Sequence, residues 1–242
     1  MANRKLHVLP DNAGLLRAAA ECLCDAIADV VSTKEYCTMA LSGGSTPRGL
    51  YELLAAPAFS ESIPWNKLRF FLGDERHVPH DHPDSNLRMV RESLFGNREP
   101  APGTLFPVDT RLDPKEAAMK YEQTLREVIG KDGALDIVLL GLGDDAHTAS
   151  LFPHTDALQE KNAWVKEVYV EKLNAWRISF TFPLINAART VVFLVSGASK
   201  SSAVRQVLQG EREPDTFPAQ SVQPHDGVVH WFLDEAAASA LK

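Results

Sequence analysis

The sequence predicts an α/β protein with a mainly parallel sheet that helices cover on both faces. Short apolar runs of strand length alternate along the chain with longer segments of helical periodicity, as in repeated β-α-β units. The apolar run at residues 136–140 has the β-branched content of a strand buried on both faces. Glycine, serine and charged residues directly follow several runs, and ligands bind at the carboxyl ends of strands in such sheets.

Apolar periodicity and capping residues predict eight strands and five helices along the chain. Asp11 is a suitable N-cap for the first helix, whose apolar residues recur at helical spacing, and Pro47 suits the first turn of the second helix. We predict strands at residues 6–9, 37–41, 68–72, 136–140, 164–170, 177–182, 190–195 and 228–232. We predict helices from residue 11 to about residue 31 and at residues 49–54, 86–94, 114–129 and 200–208.

Length, composition and charge indicate one globular domain and exclude several classes of protein. The chain has 242 residues without a repeat or a linker-like segment, so we expect residues 1–242 to form a single domain. The net charge of −7 and the absence of a long basic run argue against a nucleic-acid partner. No apolar stretch reaches the roughly 20 residues that span a bilayer, and the N-terminus does not resemble a signal peptide.

The cysteines indicate the compartment. Cys22, Cys24 and Cys37 form an odd set without metal-ligand spacing, so we expect reduced, buried thiols. Together with the missing membrane segment, this predicts a cytoplasmic protein without a membrane partner.

A glycine-rich loop at residues 42–46 follows a predicted strand and opens a predicted helix. Gly43 and Gly44 would let the backbone approach a ligand closely, while the hydroxyls of Ser45 and Thr46 and the helix-terminal amides would donate to an anion. The loop has neither the lysine of a nucleotide P-loop nor the dinucleotide glycine spacing. It predicts either a phosphate or sugar-phosphate contact or merely a tight strand-to-helix turn.

Charged residues end the third predicted strand. Arg76 is suited to clamp an oxyanion or a phosphate, with Asp74 orienting it, although such pairs on loops are often only solvated surface charges. The nearby His77, His80 and His82 match no compact metal motif, and we expect no metal there.

The segment at residues 141–153 contains the candidate general base. His147 has a side chain whose ordinary pKa lies near neutrality, and Asp145 or Asp144 is placed to orient its ring. The alternative is Ser150 as a nucleophile, but the Gly-x-Ser-x-Gly elbow of serine hydrolases is absent. A third interpretation is a histidine that only braces the turn.

Two further cations occupy positions near strand or helix ends. Arg177 begins the predicted strand at residues 177–182, and Lys200 begins the helix at residues 200–208. Each residue alone is typical of a solvated surface charge. An acidic protein nevertheless needs local positive charge to hold an anion, so the two residues together suggest phosphate capture.

Taken in order, these motifs resemble those of the 6-phosphogluconolactonase family. The matching segments are L-S-G-G-S-T-P at 41–47, G-D-E-R at 73–76, S-N at 85–86, G-L-G at 141–143, H-T-A-S-L-F-P at 147–153, R-I-S at 177–179 and S-G-A-S-K at 196–200. The resemblance implies a Rossmann-like three-layer fold with a mainly parallel sheet, related to glucosamine-6-phosphate deaminases and ribose-5-phosphate isomerases.

The resemblance also implies an activity: hydrolysis of 6-phospho-D-glucono-1,5-lactone to 6-phospho-D-gluconate in the oxidative pentose phosphate pathway, without a metal or organic cofactor. It implies that His147 activates water, that Arg76 lies beside the substrate, and that Arg177 and Lys200 hold the phosphate. The complete set of expected site residues is His147, Asp145, Arg76 and Asp74 for catalysis, with Gly43, Gly44, Ser45, Thr46, Arg177 and Lys200 for binding the phosphosugar lactone. We expect a monomer or a weak homo-oligomer.

One residue departs from the family pattern, which usually reads Asp-Gly-His where this chain has Ala146 before the histidine. If the position requires a positive φ, alanine strains the turn by about 1 kcal/mol. If it requires only close packing, the extra methyl group narrows the pocket.

Two other functions are compatible with this fold, a glucosamine-6-phosphate deaminase and a phosphosugar-sensing regulator. Deaminases of similar sequence continue after the histidine with Ile-Ala-Phe-Asn-Glu, whereas this chain continues with Thr-Ala-Ser-Leu-Phe at residues 148–152. A phosphosugar-sensing regulator of the same fold would normally carry a DNA-binding element, for which this sequence has no spare segment.

Overall fold

The computed structural model describes residues 3–96, 98–130 and 133–242. The strands are β1 (Asn3–Leu9), β2 (Cys37–Leu41), β3 (Leu68–Leu72), β4 (Asp74–Arg76), β5 (Leu105–Phe106), β6 (Ile137–Leu140), β7 (Val165–Val170), β8 (Ala175–Phe180), β9 (Thr190–Val195) and β10 (Val228–Asp234). Seven of them form a sheet in the order β1-β10-β9-β6-β2-β3-β5, and every described pairing in it is parallel.

The helices are α1 (Asn12–Thr33), α2 (Ser45–Ala55), α3 (Pro57–Ser60), α4 (Asn86–Val90), α5 (Pro114–Ile129), α6 (Phe182–Ile185), α7 (Ser201–Gln209) and α8 (Glu235–Ala238). A side-chain cap begins each of the two longest helices, α1 and α5. Asp11 caps α1 by accepting the N–H of Gly14 at 2.8 Å, as the sequence predicts, and Asp113 caps α5. Helix α4 continues into a π-helical turn at Arg91–Phe95, so the predicted helix at 86–94 is not a regular α-helix throughout.

Two apolar cores lie on opposite faces of the parallel sheet, because successive side chains of a strand point in opposite directions. Ile137 and Leu139 of β6 pack with α1, α2 and α4 on one face. Val138 and Leu140 pack with α5, α7 and the strands β7 and β8 on the other. The three-layer arrangement that the sequence predicts is confirmed.

A second, antiparallel sheet covers part of one face, in the order β4-β8-β7. The sequence predicts strands at 164–170 and 177–182, but it does not distinguish them from the strands of the parallel sheet. Only a 3-10 turn, Glu171–Leu173, and Asn174 at φ +46° separate β7 from β8, and parallel neighbours need a much longer crossover. Phe182, predicted as strand, instead begins α6, because Pro183 next to it cannot donate to a strand ladder.

Gly73 joins the two sheets beside the site. Its N–H donates to the carbonyl of Leu41 at 2.8 Å, and its carbonyl accepts the N–H of Phe180 at 2.8 Å. Strand β4 therefore leaves the end of β3 and pairs with β8, next to the carboxyl ends of the parallel strands. Among the described residues, no helix combines the length and apolarity that a membrane crossing requires.

Candidate active site

A cavity of about 230 Å³ opens at the carboxyl ends of β2, β6 and β9, against β4 and β8. It brings together most of the residues expected from the sequence. The expected residues that line it are Gly43, Gly44, Ser45, Thr46, Asp74, Arg76, His147, Arg177 and Lys200. The remaining one, Asp145, lies behind His147 and lines a separate groove.

The glycine loop requires its glycines for space and for backbone conformation. A Cβ atom on Gly43 would lie 2.2 Å from Oδ1 of Asn86. Gly44 has φ +105°, a backbone conformation that residues other than glycine rarely adopt. Tyr51 fixes the loop from α2, since its hydroxyl accepts the N–H of Ser42 and donates to the carbonyl of the same residue, both at 2.8 Å. Tyr51 therefore fixes the backbone of the loop where it lines the cavity.

His147 is held at one ring nitrogen and at one ring face. Its Nδ1 lies 2.5 Å from Oδ1 of Asp145, and its ring stacks on Phe152 with the centroids 4.0 Å apart. Because an ionised carboxylate only accepts hydrogen bonds, the proton is on Nδ1 and the lone pair is on Nε2. Gly143 leaves room for this arrangement, since a Cβ atom there would lie 2.0 Å from Nδ1.

The surroundings of His147 and Asp145 favour a neutral imidazole beside an ionised carboxylate, the protonation state that a general base needs. Burial lowers the pKa of His147 below its ordinary value, and the carboxylate of Asp145 opposes that shift. Burial would raise the pKa of Asp145, but hydrogen bonds from Lys172 and His147 outweigh it and hold this pKa at about 2. At neutral pH the imidazole is therefore uncharged and its carboxylate partner is ionised.

The structure distinguishes the other candidate residues around His147 by their contacts. Asp145 contacts the ring at Nδ1, whereas Asp144 accepts a hydrogen bond from Lys200 at 2.6 Å. Ser150 as nucleophile is wrong, because the residue is fully buried and its hydroxyl donates to Oδ2 of Asp74 at 2.7 Å.

Two arginines face each other across the second sheet. Arg76 of β4 is paired in register with Arg177 of β8, and the Nε atoms of both are buried without a hydrogen-bond partner in the part of the chain that the structure describes. Burial lowers the pKa of Arg177, the carboxylate of Asp74 opposes the shift, and Arg76 adds to it. Like charges directly opposite one another destabilise a sheet, and buried donors need acceptors. This pair is therefore suited to an anion in the cavity.

Asp74 does not orient Arg76 through a hydrogen bond, contrary to the prediction. Its carboxylate accepts from the hydroxyl of Ser150 at 2.7 Å and from Nδ2 of Asn86 at 3.3 Å. A guanidinium N–H of Arg76 instead donates to the carbonyl of Asp84 at 2.5 Å. Asp74 is thus tied to the wall of the cavity.

Asn86 is a cavity residue that local sequence reasoning missed, although it belongs to a motif of the family resemblance. Glu75, itself buried, accepts its backbone N–H at 2.7 Å and that of Leu87 at 2.8 Å. Burial raises the pKa of Glu75, and these hydrogen bonds counteract the rise. Asn86 lines the cavity, and its buried Oδ1 has no hydrogen-bond partner among the described residues, so it is available to accept a hydrogen bond from a ligand.

The histidines after β4 brace a loop. Nε2 of His77 lies 2.8 Å from the carbonyl of Leu112, and Nε2 of His80 lies 2.7 Å from that of Val108. Within residues 3–96, 98–130 and 133–242, no group of three or more histidine, cysteine and acidic side chains has a metal-binding arrangement.

Ala146 adopts φ +60°, so this position does require the left-handed conformation. Its methyl group is buried in the apolar core beneath the loop and does not line the cavity. The positive φ supports the first prediction for Ala146, that alanine strains the turn. The second prediction, that its methyl group narrows the pocket, is wrong.

Comparison with known proteins identifies the family. The chain matches the Glucosamine-6-phosphate isomerases/6-phosphogluconolactonase family over residues 10–231, and it belongs to this family. It is 41% identical over 244 residues to the 6-phosphogluconolactonase of Nostoc sp. (strain PCC 7120 / SAG 25.82 / UTEX 2576), with 98% of each chain covered. The expected family resemblance is confirmed.

Solved structures agree with this assignment. The 6-phosphogluconolactonase from Trypanosoma cruzi superposes with a TM-score of 0.89 at 29% identity, covering 100% of this chain and 98% of that one. A monomeric glucosamine-6-phosphate deaminase superposes with a TM-score of 0.83 at 23% identity, covering 98% and 99%. The latter likeness shows the common α/β fold.

Proposed function

We propose that this protein hydrolyses 6-phospho-D-glucono-1,5-lactone to 6-phospho-D-gluconate, the lactone-hydrolysis step of the pentose phosphate pathway. Curated relatives named 6-phosphogluconolactonase, 41% identical over 98% of this chain, support this reaction. The observation that carries the mechanism is a histidine, held at Nδ1 by Asp145, that shares one cavity with two arginines whose Nε atoms have no hydrogen-bond partner among the described residues.

The first step is attack by water on the lactone carbonyl. Nε2 of His147 takes a proton from the water as the new C–O bond forms, and the carbonyl π electrons move to oxygen. Asp145 then stabilises the imidazolium ion through Nδ1. Arg76 or backbone N–H groups of the cavity wall stabilise the oxyanion, because fixed donors in a partly desolvated site favour developing negative charge.

In the second step the tetrahedral intermediate opens the ring. The electron pair on the oxyanion re-forms the C=O bond, the bond from C1 to the ring oxygen breaks, and His147 returns its proton to that oxygen. The product is an open-chain carboxylic acid, which ionises near neutral pH. Arg177 and Lys200 hold the phosphate throughout, so the sugar carbonyl stays beside His147.

Replacement of His147 tests this mechanism. His147→Ala should lower kcat by about 10²–10⁴-fold, the usual contribution of general acid–base catalysis, and should leave KM within a few-fold. Hydrolysis of freshly generated lactone, corrected for its spontaneous rate, measures both. His225→Ala is the matched control, because His225 is exposed and outside the cavity. Equal turnover of His147→Ala and the wild type would remove His147 as the base.

A further inference from the structure

Lys172 reaches the base from a different part of the fold. It lies in the 3-10 turn Glu171–Leu173 between β7 and β8, and its ammonium group donates to Oδ2 of Asp145, the oxygen that His147 does not use. It does not line the cavity, but it lines the groove on the other side of Asp145. Its hydrogen-bond connection to His147 therefore runs through Asp145.

A second contact connects Lys172 to the same imidazole. Its Nζ lies 4.7 Å from the ring centroid of Phe152, and this ring stacks on His147. A cation over an aromatic face is attracted by the ring quadrupole. Lys172 thus contacts both groups that hold the imidazole, the carboxylate at Nδ1 and the aromatic ring at its face.

These two contacts distinguish Lys172 from an ordinary surface ion pair. Exposed ion pairs contribute little to stability, and the side chain of Lys172 is 55% exposed. Its contribution to folding is therefore small, whereas its carboxylate partner is the one that orients the base.

We propose that Lys172 is a positioning residue for the reaction: it fixes the carboxylate of Asp145 and thereby the orientation and protonation of His147. This inference rests on the proposed function of His147 as the base. Asp145 has two oxygens, and with one engaged by Lys172 the other remains directed at Nδ1. Without the ammonium group the carboxylate keeps, among the described residues, only its contacts with His147, from the backbone N–H at 3.2 Å and from Nδ1, both on Oδ1, so the ring is held less firmly.

The positive charge of Lys172 also acts on His147 directly. It disfavours the imidazolium ion, together with burial, while Asp145 and Asp74 favour it. The other charged groups around the imidazole are Arg76, Arg177 and Lys200, which line the same cavity. Because none of these changes when Lys172 is replaced, loss of its charge should raise the pKa of His147.

The pH dependence of hydrolysis tests this role. In the wild type, kcat/KM should fall as the pH drops through the pKa of His147, at a pH below about 6.5. Lys172→Met should move this acidic limb to higher pH by roughly half a unit to one unit and lower the plateau of kcat severalfold, with KM little changed. Lys172→Arg retains the charge and should restore the wild-type limb.

Lys166→Met is the matched control. Lys166 lies on the same hairpin and forms an ion pair with Glu160 at 3.2 Å, away from His147. Its variant should keep the wild-type profile. An unshifted limb in Lys172→Met, or an equal shift in Lys166→Met, would overturn the proposal while leaving the lactonase activity of the wild type intact. A wild type without lactonase activity would instead overturn the proposed function.

Discussion

At the scale of single residues, His147 has the properties of a base because of its surroundings. Burial lowers its pKa and Asp145 opposes this shift, so the ring stays neutral while its Nδ1 proton is held. Stacking on Phe152 fixes the plane of the ring. The result is a fixed ring that lines the cavity with its Nε2 lone pair available, as proton transfer from water requires.

Ala146, the residue before the base, gives a prediction about stability. Ala146→Gly should leave the free energy of unfolding nearly unchanged, because relief of left-handed backbone strain, about 1–2 kcal/mol, offsets both the loss of one buried methyl group, about 0.8 kcal/mol, and the entropy cost of glycine, about 0.5–1 kcal/mol. Turnover should stay within about twofold, since the methyl group does not line the cavity. Chemical denaturation and steady-state kinetics measure the two quantities.

Ala157→Gly provides the comparison. Ala157 is also buried, but it is not among the described residues with positive φ, so glycine there relieves no strain and should destabilise the fold by roughly 1–2 kcal/mol. If Ala146→Gly destabilises the protein as much as Ala157→Gly, the strain at Ala146 is refuted.

At the scale of elements, the hairpin β7–β8 and the short strand β4 complete the site. Pairing of β4 with β8 places Arg76 opposite Arg177, and the turn of the hairpin brings Lys172 to Asp145. The parallel sheet supplies the glycine loop and His147 at the ends of β2 and β6. The second sheet thus adds positive charge to a site in a protein whose net charge is −7.

The cations of these elements predict a specific kinetic effect. Arg177→Ala should raise KM for the phosphorylated lactone by about 10- to 100-fold, the equivalent of one charged hydrogen bond of about 1.5–3 kcal/mol, with kcat largely kept. Lys200→Ala should raise KM less, because Lys200 is partly exposed and already paired with Asp144. Hydrolysis of unphosphorylated gluconolactone is the control. Equal losses on both lactones would show that neither cation holds the phosphate.

At the scale of the whole molecule, the sequence predicts the parallel sheet and the segment around His147 well. The strand at residues 136–140 and the loop after it can be predicted from local sequence patterns, without knowledge of tertiary contacts. The contact of Arg76 with Arg177 was not predictable, because β4 has three residues and pairs with a strand about 100 positions away. The contacts of Ser150 with Asp74 and of Lys172 with Asp145 likewise join residues far apart in the chain. One domain, a cytoplasmic location and a monomer or weak homo-oligomer stay predictions.

The central claim is that this family member is a lactonase rather than a deaminase or a phosphosugar-binding regulator. The most direct measurement is the turnover of the wild-type protein on 6-phosphogluconolactone, above the spontaneous rate, beside its turnover on glucosamine 6-phosphate. We predict a large acceleration of lactone hydrolysis and no release of ammonia from the amino sugar. Ammonia release without lactone hydrolysis, or binding of 6-phosphogluconate without any acceleration, would contradict it.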